Sequence, residues 1–177
     1  MRVAVLSDTH LPARGAVLPH EVMRIIERAD VIVHAGDLCD LDTLILLRAF
    51  GKPLFAVHGN VDQPDVARDL PETTVADLDG VALGLIHDAG AEAGRLGRMR
   101  AQFPDVDGVV FGHSHIPLHQ IDADGFFILN PGSAADRRRQ PRHSMVEMNV
   151  TGGRLESVQF LAVDDPPGPL DRTLVRT

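Results

Sequence analysis

The stretch VIVHAGDLCDLDTLILLRAFGKPLFAVHGN, residues 31–60, decides how the rest of the chain is read. It opens on VIVHAG (31–36), a short β-branched run of the kind that forms a strand buried on both faces. LDTLILLRAF (41–50) reads as a helix that Gly51 and Pro53 terminate. LFAVHG (54–59) is again strand-like. Strand, helix and strand in this order imply parallel pairing through a right-handed crossover. Toward the N-terminus the pattern repeats. PHEVMRIIERA (19–29) carries Val22, Ile25, Ile26 and Ala29 at helical spacing, with Pro19 near its start, and RVAVLS (2–7) is a further buried strand. The first sixty residues therefore read β-α-β-α-β.

Beyond them the pattern changes. TTVADLDGVALGLIH (73–87) reads as two strands joined at Asp79-Gly80. AEAGRLGRMRAQF (91–103) reads as a helix weakened by two glycines, and DGVVFGH (107–113) as a strand. LHQIDADGFFILN (118–130) and HSMVEMNVTGGRLESVQFLA (143–162) read as hairpins turning at Asp124-Gly125 and Gly152-Gly153. An α/β beginning and an antiparallel end are both satisfied by two mixed sheets packed face to face with helices outside, an α/β (α+β) fold. The expected organisation is a single domain over 1–163 and a C-terminal tail, 164–177, that wraps or dangles.

Bulk properties exclude several functions. A formal net charge of −8 opposes a surface that grips nucleic-acid backbone, which needs Lys and Arg in excess. No apolar stretch approaches the roughly 20 residues of a membrane span, and the apolar run at the N-terminus breaks at Ser7, too early for a secretory signal. Cys39 is the sole cysteine, so no intrachain disulfide forms and a cytoplasmic home is expected. Whether the chain forms a homo-oligomer is left open by this pattern.

Chemistry collects at the strand ends. The first strand ends in SDTH, with Asp8 and His10; the second in AGDLCD, with Asp37; the third in HGNVD, with Asn60. Later strands end in LIHDAG, with His87, and FGHSH, with His113 and His115. Ligand sites of open α/β sheets lie beyond the carboxyl ends of strands, so five clusters on five strand ends can converge. Each has an ordinary reading by itself, as a turn, a helix cap or a structural histidine. Together they bring two carboxylates, one amide oxygen and four imidazoles, a set suited to borderline divalent ions such as Mn, Fe, Zn or Ni. Seven side chains exceed one tetrahedral site and suit two ions sharing a bridging carboxylate, for which Asp37 is the natural choice. Gly36, Gly59 and Gly112 each precede a candidate ligand, as close backbone approaches or as plain turn residues. Alternation along an extended chain would point His113 and His115 the same way.

These motifs, in this order, resemble the calcineurin-like metallophosphoesterase superfamily, and most closely its small bacterial and archaeal branch of YfcE-type phosphodiesterases. The resembling residues are Asp8-Thr9-His10, Gly36-Asp37, Gly59-Asn60-Val61-Asp62, His87, Gly112-His113-Ser114-His115 and NPGS (130–133), and the similarity spans about residues 2 to 160. The resemblance implies a four-layer sandwich. It implies that Asp8, His10, Asp37 and His115 hold one divalent ion and Asp37, Asn60, His87 and His113 the other. Asp37, Asn60 and His87 are in addition expected to be catalytic. Manganese is the first expectation for the ions, with nickel, iron or zinc as alternatives. The implied reaction is hydrolysis of a small phosphate ester, most of all a diester, by a hydroxide bridging two ions roughly 3.5–4 Å apart. Phosphomonoester or cyclic-nucleotide hydrolysis uses the same motifs. A non-catalytic protein-binding scaffold, the use the retromer subunit makes of this fold, is the competing class.

The chain also departs from the family. Val61 stands where larger members carry a leaving-group histidine, and Asp88-Ala89 follow His87 where relatives often have Gly and a second His. His58 and His20 are candidate replacements. Asp40 and Asp62 are candidates for orienting an imidazole. DRRRQPR (136–142) is a candidate clamp for a substrate phosphate or a solvated loop. Asn130 and Ser133 either shape the pocket wall or form a turn.

Overall fold

The computed structural model of the chain describes residues 1–12 and 17–177. Its elements run β1 (Arg2–Leu6), α1 (His20–Arg28), β2 (Val31–His34), α2 (Leu41–Ala49), β3 (Leu54–Ala56), α3 (Pro64–Asp69), β4 (Thr73–Leu78) and β5 (Val81–Ile86). They continue with α4 (Arg95–Gln102), β6 (Gly108–Val110), β7 (Leu118–Ile121), β8 (Phe127–Asn130), β9 (Ser144–Thr151), β10 (Arg154–Ala162) and β11 (Gly168–Pro169). One sheet has the order β11-β10-β9-β1-β2-β3 and the other β4-β5-β6-β8-β7. Both are mixed: β1, β2 and β3 pair in parallel, while β9 joins β1 antiparallel.

The period-two alternation of side chains along a strand builds the layers. Ala4, Leu6 and Ile32 face α1, α2 and α3 in one cluster with Val22, Ile26, Leu44 and Val66. Their neighbours Val3, Val5 and Val33 face the other way, into the seam between the sheets, against Leu83, Val110 and Leu129. On the second sheet Val109 and Ile128 turn outward to Met99 and Phe103 of the α4 segment. The order is helices, sheet, sheet, helix, a four-layer sandwich. Each fully buried aliphatic side chain in it contributes about 1.5–3 kcal/mol.

The turns follow local chemistry. Asp79 and Gly80 have φ of 53° and 88°, and Gly152 and Gly153 of 55° and 77°, the double left-handed turn that matches strand twist in a two-residue hairpin. Two features differ from the sequence expectation, and the tail takes one of its two expected courses. Helix α4 starts at Arg95 rather than 91, because the Arg98 guanidinium gathers the carbonyls of Ala89, Ala91 and Ala93 and holds that segment as a loop. Helix α3 was not anticipated; its six residues, opened by Pro64, are too few to show a period. The tail adds β11 to the edge of β10, and Arg142 fastens it through Asp164 Oδ1 at 2.6 Å and the Pro166 carbonyl at 2.7 Å. Among the described residues, no helix is long and apolar enough to cross a membrane.

Gly97 offers a stability test. It lies inside α4, exposed, with nothing within 4 Å of an added Cβ. Gly97→Ala is expected to stabilise the fold by about 0.5–1 kcal/mol, read as a raised thermal midpoint.

Candidate metal centre

The strands that lead into the centre stop earlier than their apolar runs suggest. β1 ends at Leu6, β2 at His34, β3 at Ala56 and β6 at Val110. Past those points the backbone takes an unusual course. Asp8, His10, Asp37, Cys39, His113 and His115 all have positive φ, between 49° and 83°. L-residues adopt this region at a cost of about 1–3 kcal/mol each, and such residues gather where function over-determines the backbone. Three loops share one rhythm: left-handed residues at 8 and 10, at 37 and 39, and at 113 and 115. So His113 and His115 reach the same centre, but not by alternation along an extended strand.

The five strand ends converge. His115 Nε2 lies 3.2 Å from Asp8 Oδ1 and 3.1 Å from His10 Nε2. His10 Nε2 is 3.6 Å from Asp37 Oδ2, and His87 Nε2 reaches the same oxygen at 3.2 Å. Asn60 Oδ1 joins His87 Nε2 at 3.1 Å to His113 Nδ1 at 2.9 Å. All seven residues singled out by the sequence are thus linked, with Asp37 in the middle. Asp8, His10 and His115 form one compact group of donor atoms, and Asp8, Asp37 and His87 another. Asp8 therefore reaches both groups, a role the sequence reading had reserved for Asp37. Two larger clefts, of about 610 and 640 Å³, share His119 and contain none of the seven.

The donor chemistry tests whether a cation fits. His115 Nδ1 faces the Asp136 carbonyl and His87 Nδ1 the Ala35 carbonyl, at 2.8 Å for the latter. A carbonyl only accepts, so both rings carry a proton on Nδ1 and turn Nε2 inward. His87 Nε2 then confronts two further acceptors, Asp37 Oδ2 and Asn60 Oδ1. Among the described residues, Asp37 Oδ2 is buried and finds no hydrogen-bond donor. A buried carboxylate oxygen without a donor is costly; a divalent cation held by it and the imidazoles would remove the conflict. The electrostatics agree. Burial pushes the His87 imidazole down, but the Asp37 and Asp8 carboxylates outweigh it and raise the ring above its ordinary value. Burial likewise opposes ionisation of Asp8 and Asp37, yet His10 and His115 beside Asp8, and His87 beside Asp37, hold both carboxyls below the usual range.

Surrounding groups fix the donors. Ser7 Oγ donates to Asp8 Oδ2 at 2.6 Å, and the His113 N–H donates to the same carboxylate at 3.0 Å. Gly59 and Gly112 are close approaches: a Cβ would fall 2.1 Å from Asp37 Oδ1 at the first and 1.9 Å from Ser7 Oγ at the second. At Gly36 it would meet His87 Nδ1 at 2.7 Å. Ser133 Oγ donates to the Asp8 carbonyl at 2.6 Å, and Asn130 Nδ2 to the Gly112 carbonyl at 2.7 Å, so both brace the centre from behind. Ser7, His34 and the carbonyls of Ala35 and Asp136 escaped the sequence reading. Ser7 had a signal, as the polar end of an apolar run; His34 reads as an ordinary core residue, and the carbonyls had none.

The remaining candidates resolve differently. Asp62 orients no imidazole; it accepts the N–H groups of Cys39 and Gly59, each at 2.6 Å, and of Asp37 at 3.2 Å. Asp40 caps α2 by accepting the Thr43 N–H at 2.9 Å. His20 is exposed at the start of α1. His58 instead lines a cavity of about 170 Å³ with Asn60, Glu72, His87 and Asp88. Arg142 is committed to the tail, while Arg138 Nη1 lies 3.5 Å from the His113 carbonyl.

The profile of the calcineurin-like phosphoesterase superfamily domain matches residues 1–153. A probable metallophosphoesterase of Methanocaldococcus jannaschii is 32% identical over 153 residues, 85% of this chain and 76% of the relative. A Thermotoga maritima protein solved by NMR is 35% identical, covering 91% of this chain and 98% of its own, with a TM-score of 0.72. Vps29 of Entamoeba histolytica, crystallised with Zn²⁺, is 25% identical, covering 97% and 99%, with a TM-score of 0.79. With that match across most of its length, the chain belongs to the calcineurin-like phosphoesterase superfamily.

Proposed function

We propose that the protein is a dinuclear-metal phosphodiesterase acting on small phosphate diesters. The observation that carries this reading is Asp37 Oδ2, a buried oxygen without a donor among the described residues, set 3.6 Å from His10 Nε2 and 3.2 Å from His87 Nε2. Asp8, His10, Asp37 and His115 would hold one ion, and Asp37, Asn60, His87 and His113 the other. Manganese is the ion we expect, with nickel, iron or zinc as substitutes. Bound there, the pair supplies Lewis acidity and lowers the pKa of a coordinated water.

The chain's own residues then do three things. Asp8 and Asp37, ionised throughout the neutral range, balance the charge of two cations. His87 and His115, each with Nδ1 held by a carbonyl, present Nε2 at a fixed angle. Asn60, exposed beside the small cavity at His58, marks where a phosphoryl group meets solvent. Val61, 44% exposed, has no proton to give a departing alkoxide. Diesters with good leaving groups should therefore react best. The lone cysteine suits a reducing, cytoplasmic setting.

The test is hydrolysis of bis(p-nitrophenyl) phosphate by metal-stripped protein, with Mn, Ni, Zn or Mg added back, beside p-nitrophenyl phosphate. We expect activity restored by Mn, and faster on the diester. Silence with every ion, in protein shown by metal analysis to hold two ions, would favour the scaffold reading. A faster monoester would reassign the substrate class.

A further inference from the structure

One fully buried ionisable side chain has no part in the chemistry above. His34, the last residue of β2, is closed to solvent. Burial pushes its imidazole down to about 4, against the opposing pull of the Asp62, Asp8 and Asp37 carboxylates, so the ring is neutral. Its Nδ1 accepts a hydrogen bond from the Gly36 N–H at 3.2 Å. A nitrogen that accepts there bears no proton, so a neutral ring carries its proton on Nε2. Nε2 lies 3.3 Å from Thr9 Oγ1, to which it donates.

The two partners matter through their places in the chain. Thr9 stands between Asp8 and His10, and Gly36 immediately precedes Asp37. All three neighbours have left-handed backbones, with φ of 53°, 49° and 59°. Strained residues of this kind persist only where their surroundings hold them. On the backbone side, the Asp8 N–H donates to the Gly36 carbonyl and the His10 N–H to the Asp37 carbonyl, both at 3.0 Å. On the side-chain side, His34 spans the same two loops.

We propose that His34 is a positioning residue of the metal centre: its Nε2–H tautomer ties Thr9 to the Gly36 turn and keeps Asp8, His10 and Asp37 in one ligand geometry. The inference rests on the dinuclear reading above. Groups that orient metal ligands from behind typically change metal affinity by about 10–100-fold when removed. The role asks for particular atoms, not only for a filled space. Asparagine can keep the acceptor for Gly36 but is too short to reach Thr9. Glutamine places an N–H where Nε2 was and can donate to Thr9. Thr9→Val deletes the other end of the same bond at nearly constant shape.

The experiment is calorimetric titration of metal-stripped, full-length protein with Mn²⁺ and, in parallel, Zn²⁺. Thermal midpoints of the metal-free forms are measured beside it. Thr9→Val and His34→Asn are each expected to weaken the tighter site by about tenfold. The double variant should be no weaker than either single one, because both delete one link. His34→Gln keeps the Thr9 bond but gives up the acceptor for the Gly36 N–H, and should lose less affinity than His34→Asn. Unchanged affinity in Thr9→Val and His34→Asn would overturn the proposal, as would losses that multiply in the double variant, or a loss in His34→Gln equal to that in His34→Asn. Should His34→Asn fail to fold, Thr9→Val against His34→Gln still decides. Wild-type protein that binds neither ion would remove the metal-centre reading itself, a result distinct from binding that the variants leave untouched.

Discussion

Asp37→Asn is expected to lower metal-dependent turnover by at least about 10³-fold, more than is typical for losing a group behind the ligands, while leaving the metal-free protein folded. The carboxylate occupies the middle of the centre. Oδ1 accepts the Val61 N–H at 3.1 Å, and Oδ2 points at His10 and His87 with no donor of its own. Asparagine keeps an oxygen for Val61 and turns its NH₂ toward the imidazoles. That satisfies the local hydrogen bonding and removes the negative charge and lone pairs that two cations would share. The fold therefore has little to lose: Asp37 packs against the loops of Gly59 and Asp62, not within an apolar cluster. Cation affinity has much to lose. A cation that binds only the native state raises stability in proportion to the logarithm of its concentration over Kd. Thermal midpoints of wild type and Asp37→Asn, each with and without Mn²⁺, check the expectation. Wild type should gain stability on adding the ion and the variant should not. A variant that gains as much as wild type, or keeps its turnover, would move the bridging role away from Asp37.

What could be read in advance divides along physical lines. β1 and β2 were legible because strands buried on both faces leave unbroken aliphatic runs, as Val3 to Leu6 and Val31 to Val33 do. The hairpins at Asp79-Gly80 and Gly152-Gly153 were legible because their left-handed turns demand those residues. The convergence of the seven side chains was legible because polar residues of metal-binding type recurred at one topological level. Other features left no such trace. α3 is shorter than two turns. The start of α4 depends on where Arg98 sends its guanidinium. The groups that set the imidazole tautomers are main-chain carbonyls of Ala35 and Asp136, and any residue at those positions would supply one. His34 was hidden for a different reason: it sits inside an apolar strand, where an imidazole reads as an ordinary core residue. Its partners, 25 residues back and two ahead, appear only when the loops meet. The left-handed course of Asp8, His10, Asp37, His113 and His115 was equally hidden, because nothing in those residue types requires it.

Gly112→Ala is expected to damage fold and centre together, and its partial rescue by a second substitution can separate collision from strain. An added Cβ would fall 1.9 Å from Ser7 Oγ, 2.7 Å from Asp8 Oδ2 and 3.0 Å from the Ala35 carbonyl. None of these can retreat easily. Ser7 and Asp8 are fully buried at the end of β1, and Ser7 Oγ is bonded to the very carboxylate that the methyl would press. Overpacking of this kind costs about 1–3 kcal/mol, and in a chain of this length each kcal/mol lowers the thermal midpoint by about 2–4 °C. The centre suffers for a related reason. Asp8 reaches both groups of donor atoms, so a carboxylate pushed aside weakens both at once. Gly112 is not among the glycines with positive φ, so the penalty is the collision and not the backbone. That makes it reversible. Ser7→Ala deletes the oxygen struck first and by itself removes one donor from Asp8. Combined with Gly112→Ala it should recover part of the lost midpoint, giving a favourable coupling between the two sites. It should not recover Mn²⁺ affinity to the wild-type value, because the 2.7 Å approach to Asp8 persists. Additive losses in the double variant would show that the close approach at Gly112 is not what ties the β6 loop to the end of β1.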